Sequence, residues 1–180
     1  MFDPTIFDNL KVVAEGAVYD LDLQDKILIT NRIDQIDLAK LSRLYAVTFR
    51  KADEGEDSVH GELRIYAGVD DLAMEIMEKD VQSIGCYIEI VFSTSIKDPE
   101  KNCEIIQLVL LDVWGNRPFI TQMLSFTYDP THQIKWQDTI FLKFDRKIGE
   151  AQVDDLPVMV DYMVESIDHL NKLLYNTNFE

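Results

Sequence analysis

The chain has 180 residues, of which 47% are hydrophobic, and its 17 basic and 33 acidic residues give a formal net charge of −16. A surplus of acids argues against nonspecific nucleic-acid binding, because that binding needs Lys and Arg to displace the counterions of the phosphates. No run of residues approaches the ~20 apolar residues of a membrane-spanning helix. The composition therefore predicts a globular protein that binds neither nucleic acid nor membrane, with residues 1–180 forming a single domain.

Two further features concern the compartment. The first residues, MFDPTIFDNLK, lack the basic and long apolar segments of a secretory signal. Cys86 and Cys103 are the only cysteines, too few for a disulfide framework, and their spacing is not that of a metal site. We therefore expect a cytoplasmic protein with reduced thiols, no cofactor and no metal.

The acidic excess is unevenly distributed along the chain. Residues 51–80 carry ten acids and three bases, and residues 149–171 carry six acids and no base. These two segments account for −13 of the net charge, whereas residues 81–148, with eight acids and seven bases, are almost neutral. Such a distribution suits a basic partner or cations, and it also suits plain solubility. If the two segments bind the same basic partner, we expect them to form one contiguous acidic face.

The first predicted element is a helix that begins at Asp3-Pro4, a capping residue followed by a proline suited to the first helical position. Gly16 suits its end. Its apolar face consists of Ile6, Leu10, Val13 and Ala17. From residue 19 to residue 24 apolar and polar residues alternate, which predicts a half-buried strand that projects Asp20 and Asp22 from one face.

Strands and helices alternate over the next stretch. The patterns predict a short strand at 27–30, a short helix at 34–44, strands at 45–49 and 60–67, and a helix at 70–80. The last of these helices is expected to turn its apolar residues inward, namely Leu72, Ala73, Ile76 and Met77.

The second half predicts an antiparallel meander followed by a long helix. Four apolar-alternating runs are separated by short segments rich in turn formers, and connections this short force antiparallel neighbours. The runs are 84–96, 103–114, 118–128 and 134–144. A helix then begins after Asp154 or Asp155, with Pro157 in its first turn. Its apolar stripe, at helical spacing, consists of Leu156, Val160, Met163, Ile167, Leu170 and Leu174. The sequence therefore predicts an α+β fold: an antiparallel sheet, made of this meander and the earlier strands, covered by the C-terminal amphipathic helix.

The segment DVWGNRPF, near the centre of the predicted meander, reads as a hairpin tip. Gly115-Asn116 suits a two-residue turn, which places Trp114 opposite Arg117 as a cation–ring pair. The same register separates Cys86 from Cys103 by about 33 Å, which excludes a disulfide between them.

Motifs that carry chemistry are absent from the sequence. It has no glycine-rich phosphate loop, no G-x-S-x-G and no histidine pair at metal-ligand spacing. Asp20 and Asp22 could serve a divalent cation or an acid/base pair, or they could simply form the wet side of a strand. Asp70-Asp71 and Asp154-Asp155 precede helices and are explained as caps. Gln107 and Gln122 fall on one apolar face of the predicted meander, where they could line a small polar pocket or bond to each other.

Three functions remain open at this stage. The first is a noncatalytic interaction protein, of a chaperone-like, immunity-like or regulatory kind, that binds a basic protein partner or forms a homo-oligomer. The second is a small-molecule-binding protein with an apolar cavity between the sheet and the C-terminal helix. That cavity would be lined by Phe126, Trp136, Phe141, Met159 and Met163. The third is a carboxylate-dependent or metal-dependent enzyme, which rests on Asp20 and Asp22. We expect the first function and no enzymatic activity.

Overall fold

A computed structural model describes residues 5–77, 84–131 and 135–176 and shows an α+β fold with a six-stranded antiparallel sheet. The elements are α1 (Ile6–Leu23), β1 (Ile27–Asp37), β2 (Ser42–Lys51), β3 (His60–Ala67), α2 (Val69–Ile76), β4 (Tyr87–Ile96), α3 (Pro99–Trp114), β5 (Phe119–Phe126), β6 (Trp136–Lys143) and α4 (Asp155–Asn176). The strand order is β1-β2-β3-β4-β6-β5, so β1 and β5 are the two edges. No helix of the described residues is long and apolar enough to span a membrane.

One face of the sheet is covered by helices, and the core lies between them and the strands. Helix α4 packs against β2, β3 and β4 and contacts α1 on one side and α3 on the other. Tyr45, Val47 and Phe49 of β2 are fully buried at alternate positions, as the predicted strand requires. Strand β3, which was predicted at 60–67, is antiparallel to β2 and pairs with it. The face of the sheet that points away from the helices is not covered by another described element.

The C-terminal helix confirms the predicted stripe. Its fully buried residues follow the helical spacing of the sequence: Leu156, Val160, Met163, Ile167 and Leu170. The helix approaches β3 closely at Gly61, where a Cβ atom would lie 3.0 Å from Cδ1 of Ile167. Glycine on the strand therefore sets how near α4 can come to the sheet.

The predicted strand at 19–24 is wrong, because α1 continues through Gly16 to Leu23. The buried residues Phe7, Leu10, Ala14 and Val18 follow one helical face, and this longer pattern outweighs the local alternation. Leu23, an apolar residue within the predicted strand, is largely exposed. The predicted start at Asp3-Pro4 lies outside the described residues.

The predicted helix at 34–44 is also wrong. Strand β1 extends past 27–30 to Asp37, and β2 begins at Ser42. The tight turn between them is stabilised by Asp37, whose Oδ1 accepts hydrogen bonds from the backbone N–H of Ala39 and Lys40 at 2.9 and 3.1 Å. Its side chain thus stabilises a turn instead of a helix.

The predicted four-stranded meander is wrong in one element: residues 103–114 do not form a strand but belong to α3. The helix begins after Asp98, whose side chain accepts a hydrogen bond from the N–H of Lys101 at 3.3 Å, and Pro99 occupies the first helical position. A run that is apolar nearly throughout fits a buried helix as well as a strand. The capping residue Asp98 before the run favours the helix. The other three predicted strands are present, and β5 and β6 are antiparallel neighbours. Strand β4 pairs with β6, and α3 and β5 lie between these two strands in the chain.

The predicted hairpin at Gly115-Asn116 is therefore the end of a helix. Gly115 has φ +63°, in the region that favours glycine. Trp114 does not stack on Arg117 but is buried between α3 and α4, where its Nε1 donates a hydrogen bond to Oγ of Ser166 at 2.9 Å. Its ring contacts Tyr162 edge to face, with ring centroids 5.4 Å apart.

Helix α2 confirms the helix predicted at 70–80, of which residues 78–80 lie outside the described residues, but it turns a different face inward. Its buried residues are Asp71 and Glu75, whereas Ile76 and Met77 are 50% and 54% exposed. Glu75 accepts a hydrogen bond from the N–H of Ile6 at 3.1 Å and so caps the start of α1 from a distance. Asp71 forms an ion pair with Lys147 and accepts a hydrogen bond from the N–H of Gly68 at 3.0 Å, which confirms its capping role. The two carboxylates are buried because helix termini and Lys147 satisfy them.

Candidate interaction surfaces and a buried carboxylate

Asp20 and Asp22 do not project from one face. Both lie on α1, where residues two apart point in nearly opposite directions. Asp20 is exposed, whereas Oδ1 of Asp22 accepts a hydrogen bond from the N–H of Ile29 at 3.0 Å. Asp22 therefore holds the start of β1 against the end of α1, which is a structural role.

Gln107 and Gln122 are likewise separated. Gln107 is exposed on α3, because residues 103–114 are helical. Gln122 lies on β5, and its Nε2 donates a hydrogen bond to the backbone oxygen of Cys103 at 2.9 Å. The amide of Gln122 thus ties the edge strand to α3, and the two glutamines do not share a face.

Of the five residues predicted to line an apolar cavity, Met163 is fully buried and Met159 nearly so, both in the core cluster. Trp136 faces Phe126 across the β5–β6 pair, with ring centroids 5.0 Å apart. Phe141 is an odd number of residues from Trp136 on the same strand and so points to the opposite face of the sheet. The structure therefore brings Trp136 and Phe126 together and does not place all five around one space.

Asp138 is a polar residue of the core that the sequence analysis missed. It is fully buried, and neither carboxylate oxygen has a hydrogen-bond partner among the described residues. It lies opposite Thr94 of β4 and Leu124 of β5 on the helix-covered face. Its position between Trp136 and Ile140 at strand spacing was the available signal, because an Asp at an inward position of an apolar strand is unusual.

The surroundings of Asp138 favour its neutral form. Burial raises the pKa of Asp138 to about 6. Burial also raises the pKa of the Cys103 thiol, and the nearby charge of Asp138 raises it further. A carboxylate beside a thiol of raised pKa does not activate that thiol as a nucleophile. Oε1 of Gln122 is also a buried oxygen without a hydrogen-bond partner in the described part of the chain.

Both cysteines are free. The separation of about 33 Å predicted between them assumed that Cys103 lies on a strand, and this register is wrong because Cys103 lies on α3. Cys86 is buried next to the end of α2, and burial raises its pKa to about 12. Within the described residues, no group of three or more His, Cys, Asp or Glu side chains is arranged to hold a metal ion.

The solvent-facing side of the three covering helices is strongly acidic. On α4, Asp154, Asp161 and Glu165 follow one another at helical spacing along the exposed stripe, with Asp154 immediately before the first helical residue. The exposed carboxylates of this side that have no ion-pair partner in residues 5–77, 84–131 and 135–176 are Asp20, Glu100, Glu104, Asp112, Asp154, Asp161 and Glu165. We call this set the acidic helix face. Among the described residues of α1, α3 and α4, the exposed basic side chains are Lys101 and Lys172.

The two acidic segments of the sequence meet at the C-terminal part of α4. Lys51 forms an ion pair with Asp168 at 3.2 Å, and Oδ1 of Asn171 accepts a hydrogen bond from the N–H of Val59 at 2.9 Å. The loop between β2 and β3, with exposed Asp53, Glu56 and Asp57, is thereby held beside α4. Asp71 and Glu75 also belong to the acidic segment 51–80, but they are buried and add nothing to the surface charge.

The uncovered face of the sheet has a different character. Glu62, Arg64, Glu89 and Lys143 form a chain of ion pairs across β3, β4 and β6. Because acids and bases alternate in this series of ion pairs, their charges cancel, and this part of the uncovered face is close to neutral. The acidic excess is therefore displayed on the helix side of the molecule.

Comparison of the chain with protein-family models, with curated proteins and with solved structures found no match.

Proposed function

We propose that this protein is a noncatalytic interaction protein that binds a basic protein partner through the acidic helix face. The observation that carries the proposal is the seven exposed carboxylates on the helix side that have no ion-pair partner among the described residues. The described parts of the same helices expose two lysines. Such a surface attracts a basic partner over a distance of about one Debye length, ~8 Å at physiological ionic strength.

Helix α4 is the centre of the proposed surface. It lies between α1 and α3, and its exposed stripe includes Val158, which is 49% exposed, between Asp154 and Asp161. An apolar residue surrounded by acids resembles the composition of many interfaces, in which an apolar contact is ringed by charges. A regular helix presents these groups on a rigid support, so binding costs little ordering of the chain.

The first experiment identifies the partner. The tagged protein is used to retain proteins from a lysate of its own organism at 50 mM and 500 mM NaCl, and retained proteins are identified by mass spectrometry. We expect a basic protein that is retained at low salt and lost at high salt, because exposed charge pairs are screened by salt. The partner is then purified, and its dissociation constant is measured by calorimetry. Failure to retain any basic protein at low salt contradicts the proposal.

The second experiment locates the surface. Reversal of two charges on α4, Asp161→Lys with Glu165→Lys, is expected to weaken binding of the purified partner about 10- to 100-fold, since each exposed pair contributes about 1 kcal/mol and is replaced by repulsion. The matched control is Glu56→Lys with Asp57→Lys, which makes the same charge change on the exposed loop between β2 and β3. We expect the control to weaken binding less than about 3-fold. Equal losses in both variants would show that the acidic helix face is not the specific binding surface.

A further inference from the structure

The second edge of the sheet, β5, has none of the features that keep an edge strand from pairing with another chain. Its eight residues, FITQMLSF, include no charge, no proline and no glycine. Most of its large apolar side chains are exposed: Phe119 by 72%, Met123 by 53%, Leu124 by 38% and Phe126 by 49%. Only β6 pairs with β5 among the described strands, so no described strand pairs with the outer row of its backbone N–H and C=O groups.

The opposite edge provides an internal comparison. Strand β1 carries Arg32, Asp34 and Asp37, and its pairing with β2 is interrupted by an irregularity between Ile29 and Asn31. Charged residues and bulges are the usual means by which proteins prevent edge-to-edge pairing. One edge of this sheet is therefore protected in two ways, while the other is long, regular and apolar.

The absence of charge on β5 indicates which partner it fits. The molecule has a net charge of −16, so two copies repel each other over most of their surfaces. Strand β5 lies in the part of the chain, residues 81–148, that is almost neutral. A basic partner gains nothing from a strand without acids, whereas a second copy meets no like charges there.

We infer that the protein forms a homodimer by antiparallel pairing of β5 with β5 of a second copy. An antiparallel pair of identical edge strands is related by a two-fold axis perpendicular to the sheet, which gives a closed, symmetric interface. The two six-stranded sheets become one continuous sheet, with both helix layers on the same side. With Met123 on the two-fold axis, the two Met123 side chains meet on the uncovered face. On the helix side, Ile120 of each copy then lies opposite Phe126 of the other, and Gln122 lies opposite Leu124.

The size of the interface sets the expected affinity. One eight-residue strand and its side chains bury less than the ~800 Å² per partner of a standard stable interface. The dimer is therefore weak, with a dissociation constant in the micromolar range. Salt strengthens it, because screening reduces the repulsion between two acidic molecules.

The test is sedimentation velocity of the full chain from 1 to 500 μM at 50 mM and 500 mM NaCl. We expect the mean mass to rise from the monomer value of 20.8 kDa towards twice that value with concentration, and to rise more at 500 mM NaCl. Met123→Glu, which places two like charges near the two-fold axis, is expected to weaken dimerisation at least 10-fold. Leu28→Glu makes the same charge change at a 43% exposed leucine on β1 and is expected to dimerise like the wild type.

Amide hydrogen exchange supplies a second measurement that a folding defect does not imitate. In the wild type, β5 amides are expected to exchange more slowly at 500 μM than at 1 μM, while those of β1 do not change. A monomer at all concentrations, a dimer that survives Met123→Glu with the thermal midpoint unchanged, or equal effects of the two Glu variants would each overturn the proposal.

Discussion

At the scale of single residues, the unusual polar group is Asp138 and not the aspartates that the sequence made prominent. Asp20 and Asp22 attract attention by spacing alone, and a helix separates them. Asp138 is inconspicuous in the sequence but fully buried without a hydrogen-bond partner in the described residues. A lone buried charge is costly, so ionisation of the Asp138 carboxyl lowers the stability of the fold.

This leads to a prediction for the pH dependence of stability. The pKa of Asp138 is about 6 in the folded protein and ~3.9 in an unfolded chain. Because the folded state binds the proton more tightly, stability falls as pH rises from about 4 to about 6 and then stays constant. Asp138→Asn removes this loss. We expect the variant to unfold with a free energy up to ~3 kcal/mol higher than the wild type at pH 7.5, and with a similar free energy at pH 4.

Urea unfolding at pH 4, 5, 6 and 7.5 measures the effect. Asp53→Asn, at an exposed loop position, is the matched control and is expected to change stability little at any of these values. A variant that is less stable than the wild type at pH 7.5 would mean that the Asp138 carboxylate is ionised and paired in the folded protein.

At the scale of elements, α1 shows how a long helical pattern overrides a local signal. Gly16 lies in the middle of the helix, and a Cβ atom there meets nothing within 4 Å. Gly115 at the end of α3 has equal space, but its φ of +63° strains any other residue. The two glycines therefore have opposite roles.

The contrast predicts opposite effects of the same substitution. Gly16→Ala is expected to raise the free energy of unfolding by ~0.5–1 kcal/mol, because alanine loses less backbone entropy within a helix. Gly115→Ala is expected to lower it by ~1 kcal/mol or more, because alanine must adopt a left-handed backbone. Thermal and urea unfolding of both variants at pH 7 measure these changes. If Gly16→Ala does not stabilise the protein, α1 does not run through Gly16.

The elements that could be predicted from the sequence are those with an unambiguous period. The alternation of Tyr45, Val47 and Phe49 and the stripe of α4 each fit only one regular structure, and both predictions are confirmed. Residues 103–114 are apolar at too many positions for the period to show, so the choice of strand over helix was wrong. The inward face of α2 could not be predicted from hydrophobicity, because Asp71 and Glu75 are buried by partners distant in the chain. The sequence predicts that the surface is acidic but not where the acids lie on it. Helices α1 and α3 contribute exposed acids as well as the two acid-rich segments.

At the scale of the whole molecule, the two proposed interactions occupy different surfaces and depend on different forces. The acidic helix face attracts a basic partner by charge, whereas β5 pairs through backbone hydrogen bonds and apolar contacts. In the proposed dimer both helix layers lie on the same side of the continuous sheet, so each copy can still present its acidic helix face. Two such faces on one side provide two sites for a partner, which strengthens the binding of a partner that carries two basic segments.

This separation predicts independent effects of the two sets of substitutions. Asp161→Lys with Glu165→Lys is expected to abolish most partner binding and to leave the dimer intact or slightly stronger, because it reduces the net charge by four. Met123→Glu is expected to prevent dimerisation while each monomer still binds the partner with unchanged intrinsic affinity. Raising NaCl from 50 to 500 mM weakens the first interaction and strengthens the second. Sedimentation of the wild type and both variants with the purified partner measures both equilibria together. If one variant impairs both interactions, or if salt shifts both in the same direction, the two surfaces are not independent, and the partner binds a site that dimerisation creates.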